Sequence, residues 1–99
     1  MVKLLMGWRI VPGRESEYFD FIVQEFEPGL ADLGLRTTDA WYTAYGDLPQ
    51  IMTGVVASDL ETLRKVLTSE RWRRLKERLL EYVTDYQQKI IRADGGYQL

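Results

Sequence analysis

Hydrophobic positions along the 99-residue chain change period several times, and each change marks an element. From Lys3 to Val11, Leu4, Leu5, Met6, Trp8, Ile10 and Val11 place apolar side chains on both alternating faces, the pattern of a central strand covered twice. Pro12-Gly13 ends it, because proline lacks a donor and glycine permits the turn. From Arg14 the spacing becomes helical, through Phe19, Ile22, Val23, Phe26, Leu30 and Leu33. Glu15 and Glu17 suit the positive end of its macrodipole, Pro28-Gly29 predicts a kink or restart, and Gly34 a left-handed terminal residue.

Leu35 to Tyr45 reads as a strand rich in threonine and aromatics, with Asp39, Trp41 and Tyr45 on one face. Gly46-Asp47-Leu48-Pro49 is a turn signal, and Gln50 to Ala57 returns as the second arm of a hairpin. Ser58-Asp59-Leu60-Glu61 matches a capping box with Ser58 as cap. Leu60, Leu63 and Leu67 then set one helical register and Trp72, Leu75, Leu79, Val83, Tyr86 and Ile90 another, which predicts a capped break at Thr68-Ser69. The second helix is expected to run to about Arg92, leaving Tyr97-Gln98-Leu99 as a short final strand. The predicted class is α+β: one ferredoxin-like βαββαβ domain over residues 1–99, with a four-stranded antiparallel sheet and an extra helical segment before the last helix. Helices on one side of such a sheet leave the other open, and a partner sheet is the simplest second cover for the first strand.

Composition narrows the chemistry. The chain has no histidine and no cysteine, which removes imidazole metal sites, the Ser-His-Asp relay, thiol catalysis and disulfides. Carboxylates, arginines and aromatics remain. The amino-terminal stretch is interrupted by Arg9 and falls short of the roughly 7–15 apolar residues of a secretory signal. With no run near the roughly 20 apolar residues of a membrane span, a cytoplasmic protein is expected. No glycine-rich phosphate loop and no calcium-loop pattern occurs. Arg71, Arg73, Arg74, Lys76 and Arg78 form a basic cluster, but Glu70, Glu77 and Glu81 interleave with it and the chain carries a formal net charge of −2. That pattern describes a solvated helix face rather than a nucleic-acid or membrane surface.

Three residues are candidates for catalysis. Arg9 is a charge within an apolar strand, facing either a wet cavity or a carboxylate such as Asp39. Asp39 lies beside aromatics that could raise its pKa toward general acid or base use, or else is a strand-edge charge. Tyr18 falls near the entrance of the first helix. The aromatic set Trp8, Tyr18, Trp41, Tyr42, Tyr45 and Trp72 could line a pocket for a flat apolar ligand; its alternative is core and dimer packing.

The run Gly7-Trp8-Arg9-Ile10-Val11-Pro12-Gly13-Arg14 with Tyr18, the segment Trp41-Tyr42-Thr43-Ala44-Tyr45-Gly46, and Ser69-Glu70-Arg71-Trp72 resemble dimeric α/β-barrel proteins of the NIPSNAP and antibiotic-biosynthesis-monooxygenase type. The resemblance implies a homodimer in which two sheets meet face to face. It also implies a range of roles, from cofactor-free oxygenase or isomerase to haem degradation, and a histidine-ligated haem is not available to this chain. No cofactor or metal is expected. Two readings stand: a barrel that binds an apolar or aromatic small molecule, with cofactor-free oxygenase or isomerase activity left open, or a non-enzymatic homo-oligomeric module with a solid core.

Overall fold

A computed structural model describes residues 1–42 and 50–92. Strand β1 (Val2–Ile10) is followed by a helical stretch in three parts: α1 (Glu15–Phe21), a π-helical turn (Ile22–Phe26) and α2 (Glu27–Asp32). Then come β2 (Arg36–Tyr42), β3 (Ile51–Ala57), α3 (Leu60–Leu67), α4 (Glu70–Leu79) and β4 (Val83–Arg92). The four strands form one antiparallel sheet in the order β2-β3-β1-β4, the ferredoxin-like arrangement.

The wide turn has a local cause in the sequence. Pro28 has no N–H to give to the preceding turn, and just before it the helix widens, Glu27 N–H reaching Ile22 C=O five residues back. The kink expected at Pro28-Gly29 is therefore taken up as a π-turn within a continuous helical path. Gly34 ends that path at φ +83°, a conformation glycine adopts without cost. The capped break at Ser69 is present, Ser69 Oγ accepting from Trp72 N–H. At the preceding helix the cap is Asp59 rather than Ser58: Asp59 Oδ1 accepts from Thr62 N–H at 2.7 Å, a stronger charge-assisted bond than a serine hydroxyl would make.

One expectation fails outright. The last helix ends at Leu79, and Val83–Arg92 is a strand. Antiparallel pairing puts Arg9 opposite Thr84 but Gly7 opposite Gln87, so β4 contains one extra residue, with Asp85 at φ +55°. That bulge puts Val83 and Tyr86, three residues apart, against the same core. A strand with a bulge thus imitates helical spacing, which is why the register Leu79, Val83, Tyr86 misleads. The βαββαβ order survives because β4 arrives earlier in the chain; Tyr97-Gln98-Leu99 and the Gly46–Pro49 turn lie outside the described residues.

The core sits between the helices and one face of the sheet. Val2, Leu4, Met6, Trp8 and Ile10 of β1 are buried there with Val55, Phe26, Leu30, Leu63 and Leu79. Burying side chains of this size contributes about 1.5–3 kcal/mol each before chain entropy is counted. Lys3, Leu5, Gly7 and Arg9 point to the opposite face. The register sets Val56, Gly54 and Met52 of β3 beside Lys3, Leu5 and Gly7, and Ile91 of β4 beside Lys3. This open face is less apolar on β1 than the sequence suggests, with Leu5 its one large apolar side chain there.

Candidate functional site

Trp8 and Tyr18 make the one buried polar contact between the sheet and α1 among the described side-chain pairs. Alternation on β1 turns Trp8 inward, where 1% of it is exposed, and the Pro12-Gly13 turn brings α1 back so that Tyr18 meets it. Trp8 Nε1–H donates to Tyr18 Oη at 2.9 Å. Phe26 from the π-turn meets the indole edge-on at a centroid distance of 5.9 Å, and Tyr86 lies parallel to it at 6.1 Å. Trp8 is thus held on three sides, by hydrogen bonding and by ring geometry.

Beside this pair lies a cavity of about 60 Å³ between the helical stretch and the β2–β3 side of the sheet. Its walls are apolar, from Trp8, Ile22, Phe26, Leu30, Ala40 and Ile51, with polar groups at Tyr18, Glu27, Thr37 and Thr53. A volume of that size holds about four to six water-sized groups, far below the roughly 300 Å³ of a drug-sized pocket.

Burial pushes the Tyr18 phenol up to about 12, with the negative charge of Glu27 adding to the rise and the Trp8 N–H opposing it. The hydroxyl therefore stays protonated at physiological pH. Trp8 occupies a lone pair of the oxygen, and no acceptor among the described residues takes the hydroxyl hydrogen. Tyr18 is thus set up as a hydrogen-bond donor or general acid, not a base.

The other expected residues do not join this cavity. Asp39 lies on the open face, where Lys3 Nζ donates to its Oδ2 at 2.6 Å. The Lys3 ammonium holds the Asp39 carboxyl below its usual range, the reverse of the raised value expected from aromatic surroundings. The pair bridges β1 and β2 across β3 because Gly54 between them has no side chain: a Cβ there would stand 3.1 Å from Asp39 Oδ2 and 3.2 Å from Lys3 Cδ. Arg9 is half-exposed on the same face and lies 4.0 Å from Asp85, not beside Asp39. Trp41, 47% exposed, is paired with Met52 on that face, and Tyr42, 61% exposed, points the other way with its hydroxyl accepting from Gln50 Nε2. Trp72 is buried in the core under α4 and does not reach the cavity. Tyr45 lies outside the described residues. Among those described, no group of three acidic, histidine or cysteine side chains is placed to hold a metal ion, and no helix is long and apolar enough to cross a membrane.

Sequence reasoning missed Thr37, Thr53, Glu27 and Tyr86. Thr53 carries a usable signal, being the polar residue on the helix side of an otherwise apolar strand; its hydroxyl donates to Asp39 C=O at 3.0 Å. Thr37 reaches the helix side because β2 has a bulge of its own: Thr37 pairs with Val55 and Asp39 with Gly54, leaving Thr38 extra.

The Asp39 pair has a consequence at low pH. With its folded-state pKa depressed, Asp39 adds stability above its ordinary pKa, and that contribution is lost as the pH falls through the acid range below it. Asp39 is 37% exposed, so the amount is under about 1 kcal/mol. Asp39→Asn is expected to be slightly less stable than the parent at pH 7 and equal to it at pH 2, checked by urea melts at both.

No family model and no curated relative matches the chain. Solved structures do. An uncharacterised NIPSNAP domain protein from Burkholderia xenovorans superposes with a TM-score of 0.72 at 14% identity over 99% of both chains. SnoaB, a cofactor-independent oxygenase from Streptomyces nogalater, gives 0.71 at 15% identity, covering 93% of this chain and 91% of that one. A dimeric protein of unknown function and ferredoxin-like fold from Bacteroides fragilis gives 0.60 at 12% identity, covering 91% and 93%. Across nearly its whole length, the chain has the ferredoxin-like fold that NIPSNAP domain proteins share with a cofactor-independent oxygenase.

Proposed function

We propose that the chain is a homodimeric protein that binds a small, largely apolar molecule in the cavity beside Trp8 and Tyr18, with the Tyr18 hydroxyl donating to the ligand's polar atom. The observation that carries this reading is the Tyr18 hydroxyl, buried, oriented by the Trp8 N–H and bordering a cavity whose other walls are mostly apolar. Chemistry of this kind needs no cofactor: a neutral phenol in a dry site stabilises negative charge developing on a carbonyl or enol oxygen, as isomerisation and cofactor-free oxygenation both require. The likeness in fold to a cofactor-independent oxygenase supports the same class. Screening the protein with ketones of about four to six non-hydrogen atoms should give saturable thermal shifts, and Tyr18→Phe should weaken the best of them about tenfold with the fold intact. A ligand bound equally by Tyr18→Phe would sink the assignment.

The open sheet face is where the second copy would sit. Leu5, Met52, Val56 and Ile91 give it an apolar middle, and the dimeric neighbour of the same fold supports the pairing. Leu5→Glu places an unpaired charge there and should shift the parent's dimer to monomer in sedimentation. A parent that is already monomeric would remove the barrel. The small cavity favours a second reading, a non-enzymatic homo-oligomeric module with a filled core. Native mass spectrometry of protein from its own host separates the two: a dimer carrying a small molecule supports binding, a bare dimer the module.

A further inference from the structure

The basic cluster on α4 divides into two kinds of arginine. Arg73 is spent on Glu70 and Glu77 along the outer face of the helix, and Lys76 lies over the Tyr86 ring. Arg71, Arg74 and Arg78, spaced by three and four residues, share another face and line a groove of about 270 Å³ between α2 and α4. Gly29 lets the two helices approach: a Cβ at that position would stand 2.9 Å from Leu75 Cδ2. Gly29, Leu33 and Leu75 form an aliphatic floor, with no aromatic ring among the lining residues.

The carboxylates facing this groove leave donors unspent. Arg78 is committed to Glu25 at 2.8 Å and to Glu81 at 3.1 Å. Arg71 stands 3.8 Å from Asp32 and Arg74 3.8 Å from Glu70, beyond hydrogen-bonding distance in both cases. Glu70 is itself bound to Arg73. Two guanidiniums therefore border an aliphatic trough with their forked donors available, an arrangement suited to a carboxylate at one end of an apolar chain.

We propose that the α2–α4 groove binds a medium-chain aliphatic carboxylate, its head group held by Arg71 and Arg74 and its chain lying over Gly29, Leu33 and Leu75. The groove is more than four times the volume of the Trp8–Tyr18 cavity, which leaves room for an aliphatic chain of several carbons behind the head group. The site shares no lining residue with the Trp8–Tyr18 cavity and stands or falls independently of it.

Octanoate titrated into the full chain, followed by amide chemical shifts, tests this directly. Saturable shifts centred on Gly29, Leu33 and Arg74 are expected, with acetate and 1-octanol each binding at least about tenfold more weakly because each lacks one half of the match. The double variant Arg71→Gln/Arg74→Gln, at positions 65% and 74% exposed, should lose about tenfold or more in octanoate affinity. Arg64→Gln/Lys65→Gln on α3, with the same change in net charge, should not. Absence of saturable binding overturns the proposal. So does equal binding of 1-octanol, equal binding by Arg71→Gln/Arg74→Gln, or shifts centred on Trp8 and Tyr18. Tyr18→Phe should leave octanoate binding unchanged, so failure of the cavity and failure of the groove are read separately.

Discussion

Trp8→Ala is expected to destabilise the domain by about 3–5 kcal/mol, a large part of the roughly 5–15 kcal/mol available to a domain of this size. The indole is 1% exposed, its edge is met by Phe26, its face is covered by Tyr86 and its N–H satisfies Tyr18. Truncation opens a void among parts that come from β1, the helical stretch and β4, so neighbouring side chains have no single direction in which to collapse. Trp8→Phe keeps most of the ring volume and removes the N–H, and should cost about 1–2 kcal/mol, the difference isolating the hydrogen bond and the lost ring. Urea melts followed by far-ultraviolet circular dichroism read both values. A loss below about 1 kcal/mol for Trp8→Ala would mean that the aromatic group is not the centre of the core.

At alkaline pH the same group should fail by a different route. Tyr18 is pushed up to about 12 and Tyr86 above its ordinary value, both by burial. An unfolded tyrosine releases its proton near pH 10, so above that pH the unfolded chain loses protons that the folded chain still holds. Stability from these hydroxyls is complete below about pH 10 and declines as the pH climbs toward the folded value, by about 2 kcal/mol for Tyr18 alone by pH 12. Tyr18→Phe should start from a lower stability at pH 7, because Trp8 Nε1–H loses its acceptor, yet fall less steeply between pH 10 and 12. Phenolate absorbance in the folded protein should show two tyrosines titrating above the value of about pH 10 of an unfolded tyrosine. If all tyrosines titrate together near pH 10, Tyr18 is open to water and its assignment as a buried donor is wrong.

The parts of this architecture that could be read from the chain are those in which one period dominates. β1 is a largely apolar run bounded by Pro12-Gly13, and the segment from Arg14 to Gly34 keeps helical spacing through a proline whose effect is confined to one widened turn. The fourth strand could not be read because its bulge at Asp85 replaces a spacing of two by a spacing of three at the core-facing positions. The cavity was half legible. Trp8 and Tyr18 stand out as aromatics on a strand and a helix that must pack together, but Thr37 enters only through the bulge in β2, and residue type alone does not reveal an extra residue in a ladder. Asp39 was misjudged because its neighbours along β2 are aromatic while its decisive neighbour, Lys3, is two strands away and reaches it only over a glycine.

The two bulges lie on β2 and β4, which are the outermost strands of the sheet. An outermost strand with a regular ladder offers unpaired N–H and C=O groups to any passing extended chain, and an extra residue interrupts that offer by breaking the alternation and sharpening the local twist. Lateral growth of this sheet, strand by strand into a fibril or a swapped array, is therefore obstructed at both margins. The proposed pairing of open sheet faces uses neither margin, and such a contact would close after one partner instead of propagating.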